Sequence, residues 1–260
     1  MVFNGFDDEN DNANSNTQIN NEIFTIIHNG SIYGLHNISI FIESVKRIID
    51  SGYTKIRILF PGILIDLKEG ERLRNSIIGY ESYFTLSARI PRNELIPLIA
   101  ESQLLLVFGT TEMKGWYPLK LFEYLISNKP ILYCPGDNDV ITNMINKTQT
   151  GYVTYSIEET TTLLAELYTQ WIDEKTLKYN PNKQIIAQFS RIAQTQKLTE
   201  HIQSIDDNFL YPINKTTKFR QKIFETGYKL GFHNVLRKTN TSKDALILCF
   251  HDISDIPNPA

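Results

Sequence analysis

LLLVFGTTEMKGWYPLKLFEYLISNKPILYC, running from Leu104 to Cys134, holds two apolar runs separated by a loop and a helical pattern. Leu104-Leu-Leu-Val-Phe108 and Pro130-Ile-Leu-Tyr-Cys134 are apolar runs without alternation, as expected of strands buried on both faces. Between them a loop from Gly109 to Tyr117 leads into a helix from Pro118 to about Ser127. Leu119, Phe122, Leu125 and Ile126 recur there at helical spacing, and Pro118 suits a first turn, where its missing N–H is not needed. Strand, loop, helix and strand in that order form a βαβ unit, which requires parallel strands.

The same alternation extends both ways. Phe24-Thr-Ile-Ile27 reads as a short buried strand ending at Asn29-Gly30-Ser31, and a helix follows on Ile38, Phe41, Val45, Ile48 and Ile49. Lys55 to Phe60 is a second strand, Arg92 to Ala100 a helix, 138–146 a short helix, Gly151 to Tyr155 a strand and Ile157 to Trp171 a long amphipathic helix. The expected fold is α/β, a Rossmann-like, doubly wound, mostly parallel sheet. Ligands of such sheets bind beyond the carboxyl ends of the strands. That rule selects two loops, Asn29–Asn37 and Gly109–Pro118.

Composition narrows the function. A net charge of −3 gives no global reason to expect nucleic acid as a partner. Cys134 and Cys249 sit in separate apolar runs with no Cys/His cluster, so free thiols are expected and a metal site is not. The polar, acidic start MVFNGFDDENDNANSN is unlike a secretory signal, and no apolar run approaches the ~20 residues that span a bilayer. A cytoplasmic location is expected. By composition the chain divides into a polar segment 1–21, the α/β domain 22–205, and an extension 206–260 of helical and strand character.

Several residues in the two loops carry chemistry. A helix beginning at Pro118 aims unpaired N–H groups at the top of the sheet, which suits a diphosphate, and Lys120 adds a cation. Glu123, one turn further, can accept two hydrogen bonds from a ribose diol. The bland alternative is a solvated Lys–Glu surface pair, the usual meaning of that spacing. Gly30-Ser-Ile-Tyr-Gly34 follows a strand and permits close backbone approach, although a plain turn gives the same pattern. His36 and Asn37 open the next helix, with Asn37 suited to capping it.

Taken in order, these stretches resemble the C-terminal domain of family 4 glycosyltransferases, a GT-B group. Val2-Phe-Asn-Gly-Phe-Asp7 resembles the segment where such chains leave their N-terminal domain. Thr25-Ile-Ile-His-Asn-Gly-Ser-Ile-Tyr-Gly34 resembles the opening of their donor domain. Tyr117-Pro-Leu-Lys-Leu-Phe-Glu-Tyr-Leu125 with Asn128-Lys-Pro-Ile-Leu132 is close to their Pro-x-Lys-x-x-Glu-Tyr…Lys-Pro-Ile signature. Gln149-Thr-Gly-Tyr-Val153 and Phe189-Ser-Arg191 resemble later elements. The match spans roughly residues 1–205 and implies one half of a GT-B fold.

The resemblance implies retaining transfer of a sugar from a nucleotide-sugar, with no cofactor and no obligatory metal. By it Glu123 binds the ribose, Tyr117, Pro118 and Leu119 face the diphosphate and donor sugar, and Gly30 lies under the phosphates. Two departures stand out. Gly115 replaces the first glutamate of the Glu-x7-Glu motif, with Glu112 nearby as a substitute. Ser31 and His36 occupy the places of a basic pair, for which Lys120 and Arg89 are candidate replacements.

Such enzymes hold the acceptor in their N-terminal half, and this sequence starts at what resembles the hinge. The expectation is a donor domain that binds nucleotide-sugar and transfers poorly alone, and that uses a separate acceptor-binding domain and a polysaccharide or lipid-linked acceptor. From Lys215 to Lys243 the chain is basic with interleaved aromatics, suiting either peripheral contact with the inner face of a membrane or packing on the domain. Ala245 to Ser254, ending in His251-Asp252, resembles the first strand of polysaccharide deacetylases. The leading reading is a glycosyltransferase donor domain in surface polysaccharide biosynthesis; beside it stands a catalytically inactive nucleotide-binding or partner module.

Overall fold

A computed structural model describes residues 3–7, 22–110 and 114–208. The basic segment Lys215–Lys243, the deacetylase-like strand, Glu112, Cys249 and the expected C-terminal extension beyond Asn208 lie outside the described residues. One compact unit runs to Ile202.

Six strands form one sheet: β1 (Phe24–Ile27), β2 (Ile56–Pro61), β3 (Phe84–Ser87), β4 (Leu104–Phe108), β5 (Ile131–Cys134) and β6 (Gly151–Val153). Their spatial order is β3-β2-β1-β4-β5-β6, and every pairing is parallel. The order reverses between β1 and β4, so the crevice of this sheet opens above those two strands.

The apolar runs are buried on both sides because each strand feeds two cores. Leu104, Leu106 and Phe108 join one hydrophobic cluster, and Leu105 and Val107 the other. The period-2 pleat divides Ile26 from Ile27 and Leu132 from Tyr133 in the same way. On the first face lie α1 (Ser39–Asp50), α2 (Leu67–Ser76) and α6 (Ile157–Glu174). Helix α1 buries Phe41, Ile42, Val45, Ile48 and Ile49, and α6 buries Leu164, Leu167, Tyr168 and Trp171. The second face is covered by α3 (Arg92–Glu101), α4 (Leu119–Leu125), α5 (Val140–Thr148) and α7 (Lys183–Ala187). Each large aliphatic side chain so buried contributes about 1.5–3 kcal/mol.

Several boundaries differ from the sequence expectation. Helix α4 is shorter: Pro118 flanks it with an extended backbone (φ −68°, ψ 138°), and Asn128 adopts a left-handed φ of 54° beyond it. Helix α5 starts later because Asp137 accepts hydrogen bonds from the N–H groups of Asp139, Ile141 and Thr142. Strand β6 stops at Val153. Helix α2 and strand β3 had no apolar periodicity to announce them: α2 buries only Glu69, Gly70 and Leu73, and β3 is a short edge strand with Phe84 alone buried.

Part of the polar N-terminal segment is docked instead of trailing. Phe6 is 7% exposed, and its backbone pairs with Phe189 and Arg191 at the start of α8 (Arg191–Asn208). Asp7 pairs with Arg191 at 2.7 Å. A side chain at Gly5 would place its Cβ 2.6 Å from the Phe189 carbonyl oxygen, so only glycine allows this approach.

Candidate functional site

The loop after β1 and the loop after β4 meet at the switch point, and His28 is the joint between them. It directly follows β1, is 1% exposed, and its Nδ1 lies 2.9 Å from the Leu106 carbonyl oxygen on β4. That carbonyl can only accept, so Nδ1 carries the proton and Nε2 presents a lone pair. Lys120 from α4 meets it: Nζ stands 2.9 Å from His28 Nε2 and donates to the Ser31 carbonyl at 3.3 Å. The phenolic oxygen of Tyr124, also from α4, accepts from the Asn29 N–H at 3.0 Å.

Two positive-φ turns back onto each other here. Gly30 has φ 85° and Gly62 has φ 91°, and the Gly30 N–H donates to the Pro61 carbonyl at 2.8 Å. A Cβ at Gly30 would stand 3.7 Å from Lys120 Nζ. The missing side chain therefore leaves the approach to the amine open.

The rest of the β1–α1 loop is clamped by Arg72 of α2. Its guanidinium donates to the carbonyls of His36 and Tyr33, both at 3.1 Å, and to Glu69 Oε2 at 2.7 Å. Glu69 is 4% exposed, which is tolerable because the pair is charge-assisted. His36 is buried, and its Nδ1 accepts from the Tyr33 N–H at 3.0 Å. Asn37 is not the N-cap of α1: Ile38 holds that place without a side-chain cap, and Asn37 Oδ1 makes only a local bond, accepting from the Ser39 N–H at 3.1 Å.

Burial and charge set the protonation of this group. Burial pushes the Lys120 amine down to about 7, with Glu123 opposing. His28 is held well below its ordinary value, first by burial and then by Lys120. His36 falls to about 4 through burial, Lys120 and Arg72. Both imidazoles are therefore neutral near pH 7, and the crevice contains one amine at the edge of ionisation.

The structure brings Gly30, Ser31, His36 and Lys120 together at the switch. Lys120 and Glu123 do not form the surface pair their spacing suggested: Lys120 turns inward, and Glu123 turns outward to Arg92 of α3 at 3.4 Å. Leu119 is exposed and Pro118 buried. Tyr117 is held at 5.2 Å from Phe3 of the docked N-terminal segment and 6.1 Å from Phe122. Gly115 has φ 70°, and its N–H donates to Asp139 Oδ2 at 2.7 Å. Arg89 is exposed in the loop after β3, two strands from β1, apart from the other candidates.

The sequence did not single out His28, Arg72, Asp139 or Arg92. His28 carried one readable signal, an ionisable residue directly at the end of an apolar strand. Among the described residues no cluster of His, Cys, Asp and Glu suits a metal ion, and no helix is long and apolar enough to cross a membrane.

Comparison with known proteins gives the fold a context. No family model and no curated protein matches the chain. Among solved structures it resembles HepE from Anabaena in complex with UDP and glucose (TM-score 0.57, 16% identity, 78% of this chain and 56% of that chain). It also resembles a glycosyltransferase from Rickettsia africae (TM-score 0.57, 13% identity, 72% and 49%). A third neighbour is the sucrose-phosphate synthase of Thermosynechococcus elongatus (TM-score 0.55, 11% identity, 72% and 46%). The chain spans about half the length of these structures. The chain thus shares the Rossmann-like fold of one portion of these glycosyltransferase structures.

Proposed function

We propose that the crevice between β1 and β4 binds the diphosphate of a nucleotide-sugar. In this reading the chain is the donor-binding portion of a glycosyltransferase. The observation that carries the reading is the position of Lys120, drawn from α4 into the switch point beside the open backbone of Gly30. In that place the cation neutralises charge that grows on the leaving diphosphate as the bond to the sugar breaks. In this reading Glu123, half-exposed on the same helix, takes the ribose hydroxyls. The neighbour that holds UDP and glucose supports this choice of ligand.

On the same reading the sugar passes with retention of configuration, and without an obligatory metal, to a polysaccharide or lipid-linked acceptor held by a separate domain or chain. The setting is surface polysaccharide assembly on the cytoplasmic side, with peripheral membrane contact through the basic segment after residue 214. One observation favours the second reading, an inactive nucleotide-binding or partner module. The Gly115 position offers no side chain, and its N–H is already taken by Asp139.

Calorimetric titration with UDP, GDP and their sugars tests the proposal. Selective binding of one nucleoside diphosphate is expected, weakened at least tenfold, or about 1.4 kcal/mol, in Glu123→Ala. A folded chain that binds none of them overturns it. Binding without turnover, even after an acceptor-binding partner is added, favours the second reading.

A further inference from the structure

Lys120 enters the crevice with no carboxylate within ion-pair distance among the described residues; Glu123 on its own helix turns to Arg92 instead. Its contacts are the lone pair of His28 Nε2 at 2.9 Å and the Ser31 carbonyl at 3.3 Å. The tautomer of His28 is fixed, since Nδ1–H is committed to the Leu106 carbonyl. A neutral amine has two N–H bonds and one lone pair. Here both N–H bonds are used, on His28 and Ser31, so the side facing the space at Gly30 is the lone pair, which repels an anion. Only the ammonium has a third N–H to offer.

We propose that the crevice binds its phosphate-type anion together with one proton, which is taken from solvent onto the lone pair of Lys120 Nζ while His28 remains its neutral acceptor. The step forms one N–H bond on the amine and breaks none in the ligand. This rests on the donor-site reading above. Among the described residues, few titratable or charged groups surround Lys120. His28, Ser31 and His36 come from the β1–α1 loop and Glu123 from α4; Arg72 and Glu69 of α2 stand behind His36, and Arg92 of α3 behind Glu123. Burial sets the free amine at about 7 and keeps both histidines neutral there, so the amine is the member of this group that changes charge near neutrality.

The test is titration of the full chain with UDP at pH 8 in several non-phosphate buffers of different ionisation enthalpy. The slope of the observed heat against buffer enthalpy counts the protons taken up. Close to one proton per UDP is expected at pH 8, falling toward zero at pH 6. Lys120→Met should bind more weakly and take up none, and Lys120→Arg, permanently charged, should bind with no uptake. UDP binding by the wild type with zero uptake overturns the proposal and leaves the donor site standing. Uptake that persists in Lys120→Met also overturns it. Absence of any UDP or GDP binding overturns both.

Discussion

Lys120 Nζ and His28 Nε2 lie 2.9 Å apart at the point where the strand order reverses, so a side chain from the end of β1 and one from the helix after β4 close the crevice between them. An amine desolvated in this way costs the ligand-free protein stability, and its removal is the simplest probe of that cost.

Lys120 is held at about 7, below its unfolded value of about 10.5. Between those values the unfolded chain binds more protons than the native one, so native stability rises with pH over that window. Wild-type protein should therefore gain stability relative to Lys120→Met as pH rises from about 7 toward 10.5. Urea denaturation of both proteins across that range checks this; a constant difference contradicts it.

His36 makes the opposite end of the pH scale informative. Its folded value of about 4 lies below the ordinary 6.5, chiefly through burial. Stability present above pH 6.5 should be lost as pH falls toward 4, because the unfolded imidazole takes a proton that the native one refuses. His36→Asn retains an acceptor for the Tyr33 N–H and should flatten the decline in melting temperature, though His28 preserves part of it.

Gly30→Ala should cost about 1–2 kcal/mol, the penalty of a left-handed backbone at a residue with Cβ. The new methyl carbon would also stand near Lys120 Nζ, so ligand affinity should fall by more than at Gly52→Ala. Gly52 shares a positive φ but opens to free space away from the crevice. Equal affinity in the two variants would remove Gly30 from the site.

Phe108 links the core to the crevice. Its ring lies 4.9 Å from that of His28 and stacks at 3° on Phe60. Phe108→Ala should lose about 3–5 kcal/mol and loosen His28, visible as a steeper loss of ligand affinity than a remote core truncation such as Leu164→Ala produces. Equivalent affinities in those two variants would show that His28 is held by its hydrogen bonds alone.

What the sequence revealed follows the strength of its patterns. The central strands were legible because β1, β4 and β5 are buried on both faces and are almost wholly apolar, with Thr25 and the Tyr133 hydroxyl as their polar exceptions. The sheet edge was not, because β3 needs only Phe84 inside. Helix α2 was hidden for a related reason: its role is to carry Arg72 and Glu69, and an ion pair that clamps a loop leaves no apolar period. At the site, Lys120 and Glu123 were found by type and spacing, but spacing alone predicted that they face each other. They part because the crevice draws one inward and Arg92 draws the other outward. The partnership of Lys120 with His28 spans ninety-two positions, and no local pattern records it.

A crystal structure of the chain with UDP would locate the diphosphate relative to Lys120 and Gly30. The diphosphate is expected above Gly30, within hydrogen-bond distance of Lys120 Nζ, with the ribose against Glu123 released from Arg92. UDP seated away from the β1–β4 switch, or a crevice that stays empty at saturating UDP with Lys120 still bound only to His28 and Ser31, would contradict it.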